Sequence, residues 1–151
     1  MGVSMVRFAG VAVIVALALT ACDESEPRVA VGGLAQAPAD LSDLEGGAWV
    51  ADSVQDPDVS LVSGSQIEMR FKSDSIAVSA GCNTLFGGAS VDGDELVADG
   101  LASTQKGCDD ALSQQDAWLS DFLGSRPSIE VLDQSLWLFH GDDSVIHLIR
   151  Q

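Results

Sequence analysis

The stretch Ala80-Gly81-Cys82-Asn83-Thr84-Leu85-Phe86-Gly87-Gly88 decides how the rest of the chain is read. It joins two runs of alternating apolar residues and carries one of only three cysteines. Upstream, Ile67, Met69 and Phe71 alternate with Glu68 and Arg70, Ser73-Asp74 turns the chain, and Ile76, Val78 and Ala80 resume the alternation. A period of two marks a strand with one buried face, so this pair reads as a hairpin. Downstream, Ala89 to Val91 and Leu96 to Ala98 flank Asp92-Gly93-Asp94. Asp-Gly between short strands is a hairpin signal, because glycine accepts the positive φ of a tight turn. Asp99-Gly100 predicts another turn, and Leu101 to Thr104 then leads into the loop Thr104-Gln105-Lys106-Gly107-Cys108.

Further out, Leu41 and Leu44 predict the start of the folded domain, and Trp49-Val50-Ala51 follows Gly46-Gly47 as a first strand. Asp56-Pro57-Asp58 ends that strand, since proline cannot donate to a ladder. After Cys108 the period changes once. Ala111, Leu112, Trp118, Leu119, Phe122 and Leu123 recur at helical spacing, with Asp109 or Asp110 as cap and Gly124 and Pro127 as stop. The spacing predicts a helix of about three turns whose apolar stripe packs on the sheet. Strand patterns return at Ile129 and Val131, at Leu136 to Phe139 and at Val145 to Ile149, separated by Asp133-Gln134-Ser135 and Gly141-Asp142-Asp143. A sheet of about eight short strands curls or closes, which removes its exposed edges. The expected fold is mainly β: a small curled antiparallel sheet or β-barrel with one packed α-helix.

The N-terminus is organised differently. Met1 to Arg7 is a weakly basic leader and Phe8 to Leu19 an apolar run shorter than the ~20 residues a spanning helix needs. Leu19-Thr20-Ala21-Cys22 resembles a bacterial lipobox, which implies diacylglyceryl transfer to the Cys22 sulfur and cleavage before it. The expected layout is a lipoprotein signal peptide over 1–21, a linker over 22–40 rich in acids, Pro, Gly and Ala, and a folded domain over 41–151. Such a protein is exported and lipid-anchored, extracytoplasmically, to the bacterial cell membrane or envelope by acyl chains, two or more of which make a stable anchor. A flexible linker of this length spans roughly 20–25 Å, enough to clear the headgroups.

Charge and cysteine content narrow the partners. The leader holds one basic residue and no acid, so the mature chain keeps 6 of the 7 Lys+Arg against 23 Asp+Glu, a net of 6 − 23 = −17. A field of that sign repels phosphate backbones, which excludes nucleic acid as a partner. With Cys22 lipidated, Cys82 and Cys108 remain, and an exported compartment permits a disulfide between them. Two buried free thiols and a metal site are the alternatives at this point.

Ala80-Gly81-Cys82-Asn83, Phe86-Gly87, Asp92-Gly93-Asp94-Glu95-Leu96, and Thr104 with Lys106 and Cys108 occur in an order that resembles the META domain family, which includes HslJ-like heat-shock lipoproteins. Trp49 after glycines resembles the family's opening Gly-x-Trp, and Asp116 looks like the helix position where the family usually has Glu. The resemblance covers about Leu41 to Arg150. It implies a small β-barrel-like envelope domain without established catalytic residues, and a role in envelope stress tolerance. It singles out the motif-loop residues Gly81, Cys82, Asn83, Gly87, Thr104 and Cys108. One departure is plain: the family often has an aromatic near Ala89, and this chain has no tyrosine.

No catalytic constellation emerges from the residues themselves. Cys82 has no histidine that the sequence places beside it, since His140 and His147 lie in the last strands. Cys82, Cys108, His140 and His147 supply zinc-type ligands but at no recognised spacing. Asp92-Gly93-Asp94-Glu95 and Gly141-Asp142-Asp143 read as hairpin turns rather than calcium loops. No Gly-x-Ser-x-Gly elbow or phosphate-binding glycine loop is present in the sequence. The expectation is a non-enzyme without cofactor or metal. Barrels of about eight strands either fill their interior or hold one small ligand. Filling by Trp49, Phe71 and Trp137 would therefore argue against an apolar-ligand binder. An inhibitor or interaction module working through exposed acidic turns is the other alternative, and neither partner nor ligand is identified.

Overall fold

The computed structural model describes residues 34–38 and 40–151; the leader, the Cys22 motif and most of the segment read as linker lie outside them. Eight antiparallel strands close into a barrel in sequence order. They are β1 (Trp49–Gln55), β2 (Glu68–Lys72), β3 (Ser75–Ser79), β4 (Thr84–Asp92), β5 (Glu95–Ser103), β6 (Ser128–Leu132), β7 (Ser135–His140) and β8 (Ser144–Arg150). One helix, α1 (Asp110–Gly124), connects β5 to β6, and a 3-10 turn, Leu41–Leu44, precedes β1. Closure comes from β1 on β8, paired from Trp49↔Arg150 to Gln55↔Val145 with a bulge between Ala51 and Ser53.

Alternation builds the wall. Met69, Phe71, Ile76, Val78, Leu96, Leu136, Leu138, Ile146 and Leu148 all turn inward and are buried, while their sequence neighbours face out. Tight turns join β2 to β3 and β4 to β5, with Ser73 at φ 56° and Gly93 at φ 67°. Two ladders are short: β1–β2 pairs only Trp49↔Met69 and Val50↔Glu68, and β5–β6 only Glu95↔Ser128. Extra backbone bonds extend both seams, Ala51 N to Ile67 O at 2.9 Å and Ile129 N to Asp94 O at 2.7 Å. Further along β6, Val131 exchanges hydrogen bonds with Gln36, at 2.7 and 3.1 Å, and Pro38 is buried. The barrel thus engages residues that precede Leu41.

Both ends of the barrel are covered. At one, Leu41 and Leu44 are buried under a turn that Asp40 caps. Trp49 donates from Nε1 to the Leu44 carbonyl at 2.8 Å, and the Arg150 guanidinium lies 4.4 Å over the Trp49 ring. At the other end α1 buries Leu119, Phe122 and Leu123 in the same core. Its N-cap is Asp109, whose side chain accepts from Leu112 N at 2.9 Å and relieves an unpaired helix donor. The helix has 15 residues, about four turns rather than three.

Three other expectations are corrected. Thr84 to Gly88 is the first half of β4, not loop: Leu85 pairs with Val78 and Ser103 and is buried. The glycines at 87 and 88 masked this strand, yet Gly87 belongs there because a Cβ would sit 2.6 Å from the Asp99 carbonyl oxygen. Asp99-Gly100 is a bulge within β5, not a turn. Gly88 pairs with Asp99 and Phe86 with Ala102, so Gly100 and Leu101 oppose Gly87 alone, and Gly100 takes φ 60°. Finally, Trp137 lies on the outer wall, stacked on His147 with ring centroids 4.8 Å apart. Leu136 and Leu138 take the inward positions on either side of it, a period of two hidden inside a continuous apolar run.

Candidate functional site

The central loop, the loop after β5 and the first turns of α1 meet at the helix-covered end of the barrel. Gly81 enters this meeting point at φ 107°, and a Cβ on it would lie 2.8 Å from Ser65 Cβ and 3.3 Å from Leu112 Cδ2. Only glycine satisfies both the backbone conformation and the close approach. Cys82 and Cys108 are joined as a disulfide with a Cα separation of 6.3 Å. In this state the two cysteines are a bonded pair rather than free thiols or metal ligands. Both are half-buried.

Asn83 is the hub. Its backbone N–H and its Nδ2 both donate to Asp116 Oδ2, at 3.0 and 2.8 Å. Nδ2 also approaches Cys108 Sγ at 3.4 Å. Its Oδ1 accepts from Thr104 Oγ1 and from Lys106 N, each at 2.9 Å. A backbone N–H can only donate, so the contact with Lys106 N fixes which end of the amide is oxygen. Thr104 Oγ1 in turn accepts from Thr84 N at 3.1 Å, and Lys106 Nζ donates to the Cys82 carbonyl at 3.0 Å. Gly81, Cys82, Asn83, Thr104 and Cys108 therefore form one cluster. Gly87 stands apart, against the bulge of β5.

Two further polar hubs attach the helix, and sequence reasoning missed both. Gln115, 2% exposed, donates to Ser65 Oγ at 2.8 Å and to the Ala80 carbonyl, and accepts from Val62 N at 2.6 Å. Asp56 accepts from Trp118 Nε1 at 3.1 Å, Ser144 Oγ at 2.8 Å and Asp58 N at 2.9 Å. Burial works against ionisation of Asp56, but the bonds from Ser144, the Asp58 backbone, Trp118 and the Val59 backbone outweigh it and hold its carboxyl below the ordinary value. A signal for Gln115 and Asp116 was available: they fall between Leu112 and Leu119 on the apolar stripe, where a polar side chain must find partners.

A solvent-open cleft of about 320 Å³ runs beside the hub, lined by Asn83, Leu85, Ser103, Thr104, Gln105, Lys106, Ser113, Asp116, Ala117 and Ser120. Asp116 is 6% exposed; Asn83 holds its Oδ2, while its Oδ1 is buried with no hydrogen-bond partner among the described residues. The two histidines belong elsewhere. His147 sits in β8 against Trp137, 3.5 Å from Asp52 Oδ2. His140 Nδ1 lies 2.9 Å from Ser125 Oγ, but that hydroxyl gives its proton to the Phe122 carbonyl at 2.6 Å as part of the helix terminus. The ring nitrogen is therefore the donor to Ser125 and not a base acting on it. The geometry supplies polar anchoring and a disulfide, without an activated nucleophile among the described residues. The barrel interior is occupied by Trp49, Met69, Phe71 and the aliphatic residues around them, so an apolar ligand finds that space already filled.

The sequence model of one family, the META domain, matches residues 42–151. Two solved structures share the fold. One NMR structure is 23% identical with a TM-score of 0.58, covering 72% of this chain and 93% of its own. The other, an NMR structure of a protein from Burkholderia xenovorans, is 16% identical with a TM-score of 0.60, covering 74% and 86%. No curated protein sequence matches the chain.

Proposed function

The chain belongs to the META domain family, and from that premise we propose that it is a non-enzymatic lipoprotein of the bacterial envelope, anchored through Cys22 and serving envelope stress tolerance. The observation that carries this reading is the division of the three cysteines. Cys82 and Cys108 bond to each other, which leaves Cys22, at the end of a signal-like apolar run, for the lipid. An oxidising compartment suits that disulfide, in keeping with export. The family is not a known enzyme family, in keeping with the absence of a nucleophile–base pair among the described residues. The stress role rests on resemblance to HslJ-like lipoproteins. The mature charge of 6 − 23 = −17 keeps such a domain soluble at the end of its tether and away from anionic headgroups.

Metabolic labelling with an alkyne fatty acid in a bacterial host tests the anchor. The wild-type chain should take up label and fractionate with membranes, while Cys22→Ser should be unlabelled. Equal labelling of both would overturn the reading. Survival of a deletion strain after heat or envelope-active drugs tests the physiological half. Survival equal to the parent under every such stress would contradict it.

A further inference from the structure

Among the described residues, Asp116 Oδ1, His147 Nε2 and Arg150 Nε are buried without a hydrogen-bond partner, and Asp116 Oδ1 is the one that lies beside the disulfide. Buried polar atoms are almost always satisfied, so an orphan of this kind asks what it is kept for. Cys82 Sγ, Cys108 Sγ and a carboxylate oxygen of Asp116 lie within 4.8 Å of one another. In a tetrahedral zinc site, with Zn–S near ~2.3 Å and Zn–O near ~2.1 Å, ligand atoms sit roughly 3.5–3.8 Å apart. Reduction releases the two sulfurs from bonding distance across a Cα separation of 6.3 Å.

We propose that the Cys82–Cys108 pair, once reduced, forms with Asp116 a binding site for a thiophilic divalent cation of the zinc class. A dithiol reductant supplies two electrons and two protons, converting the disulfide to two thiols and itself becoming a disulfide. The cation then displaces both thiol protons to solvent and takes two thiolates and the Asp116 carboxylate, with water completing the tetrahedron. The surroundings fit this use. Asn83 holds Asp116 Oδ2 from two donors, which orients the carboxylate and leaves the other oxygen free. The same amide approaches Cys108 Sγ, so it also supports charge on that sulfur. Both cysteines are half-buried and so within reach of a reductant, and the strongly negative chain draws cations toward itself. This site is independent of the anchor and takes neither histidine, in contrast with the four-ligand set that the sequence offered.

The test uses the full chain carrying Cys22→Ser, in detergent micelles, so that the only thiols come from Cys82 and Cys108. After reduction with a phosphine under inert gas, cobalt(II) is titrated in as a spectroscopic substitute for zinc. One equivalent should produce a thiolate-to-cobalt charge-transfer band and tetrahedral visible bands, which zinc abolishes; the oxidised protein should produce neither. Asp116→Asn should weaken binding at least about tenfold. Asp116→Glu, which retains a carboxylate, should preserve the visible bands. Equal binding by wild type and Asp116→Asn overturns the proposal, as do the absence of bands from the reduced protein and loss of the barrel's circular dichroism on reduction before metal is added.

Discussion

The two ends of the barrel are closed in different ways. The Leu41–Leu44 end is closed by a short turn next in sequence to β1, using two leucines, the Trp49 ring and the Arg150 guanidinium over it. The α1 end is closed by a helix that three polar side chains and a disulfide tie to distant parts of the chain. Asn83 reaches Asp116 across 33 residues, Gln115 reaches Val62 across 53, and Asp56 reaches Ser144 across 88. The first cap combines its two leucines with polar ties of its own, Arg150 donating to the Glu45 and Asp43 carbonyls at 2.7 and 2.9 Å, whereas the second adds a disulfide and a carboxylate hub. A polar cap of this kind has to be assembled from specific residues, each of which costs desolvation if its partner is missing. At the second end, sulfur, carboxylate and ammonium groups meet beside a cleft.

The comparison breaks most visibly at Trp49. Trp49→Ala should cost about 3–5 kcal/mol, read by chemical denaturation, because it empties the core and unseats the first cap. Removing the disulfide by Cys82→Ser with Cys108→Ser should cost about 3–4 kcal/mol for a loop of this length, with the barrel retained. Asn83→Ala should cost about 2–3 kcal/mol, since Asp116, Thr104 and the Lys106 backbone all lose a partner. Hydrogen exchange should place that loss at the α1 end and leave the β7–β8 amides protected.

Smaller effects sharpen the contrast. The folded-state carboxyl of Asp56 lies below its ordinary value of 3.8, so its stabilisation is complete above that value and is lost as pH falls through the lower one. Asp56→Asn should therefore flatten the stability curve below about pH 4 and cost about 1 kcal/mol at neutral pH. Trp137→Ala should cost under about 1 kcal/mol, because its ring stacks on the outer wall. A loss there equal to that at Trp49 would mean that the two tryptophans do not differ as their positions require.

The legibility of the sequence follows the same division. Strand alternation is local, so the hairpins at Ser73-Asp74 and Gly93 and the inward set Ile67, Met69 and Phe71 could be read directly. Alternation failed where glycine replaced the apolar signal, at Gly87 and Gly100, and where both faces were apolar, at Trp137. The motif resemblance marked Gly81, Cys82, Asn83, Thr104 and Cys108, which the structure gathers into one cluster. Gln115 and Asp56 were not legible as hubs. Their partners lie far away in sequence, and although polar residues on the apolar stripe of α1 signal that partners must exist, they do not say which backbone they will meet.

The most direct measurement is the intact mass of the mature protein taken from membranes, alkylated with and without prior reduction. The structure and the proposed anchor together predict a chain beginning at Cys22, carrying lipid there, with two alkylations that appear only after reduction. A chain without lipid whose Cys22 alkylates freely would contradict the anchor. Alkylation of Cys82 and Cys108 without reduction would contradict the bonded pair that closes the α1 end.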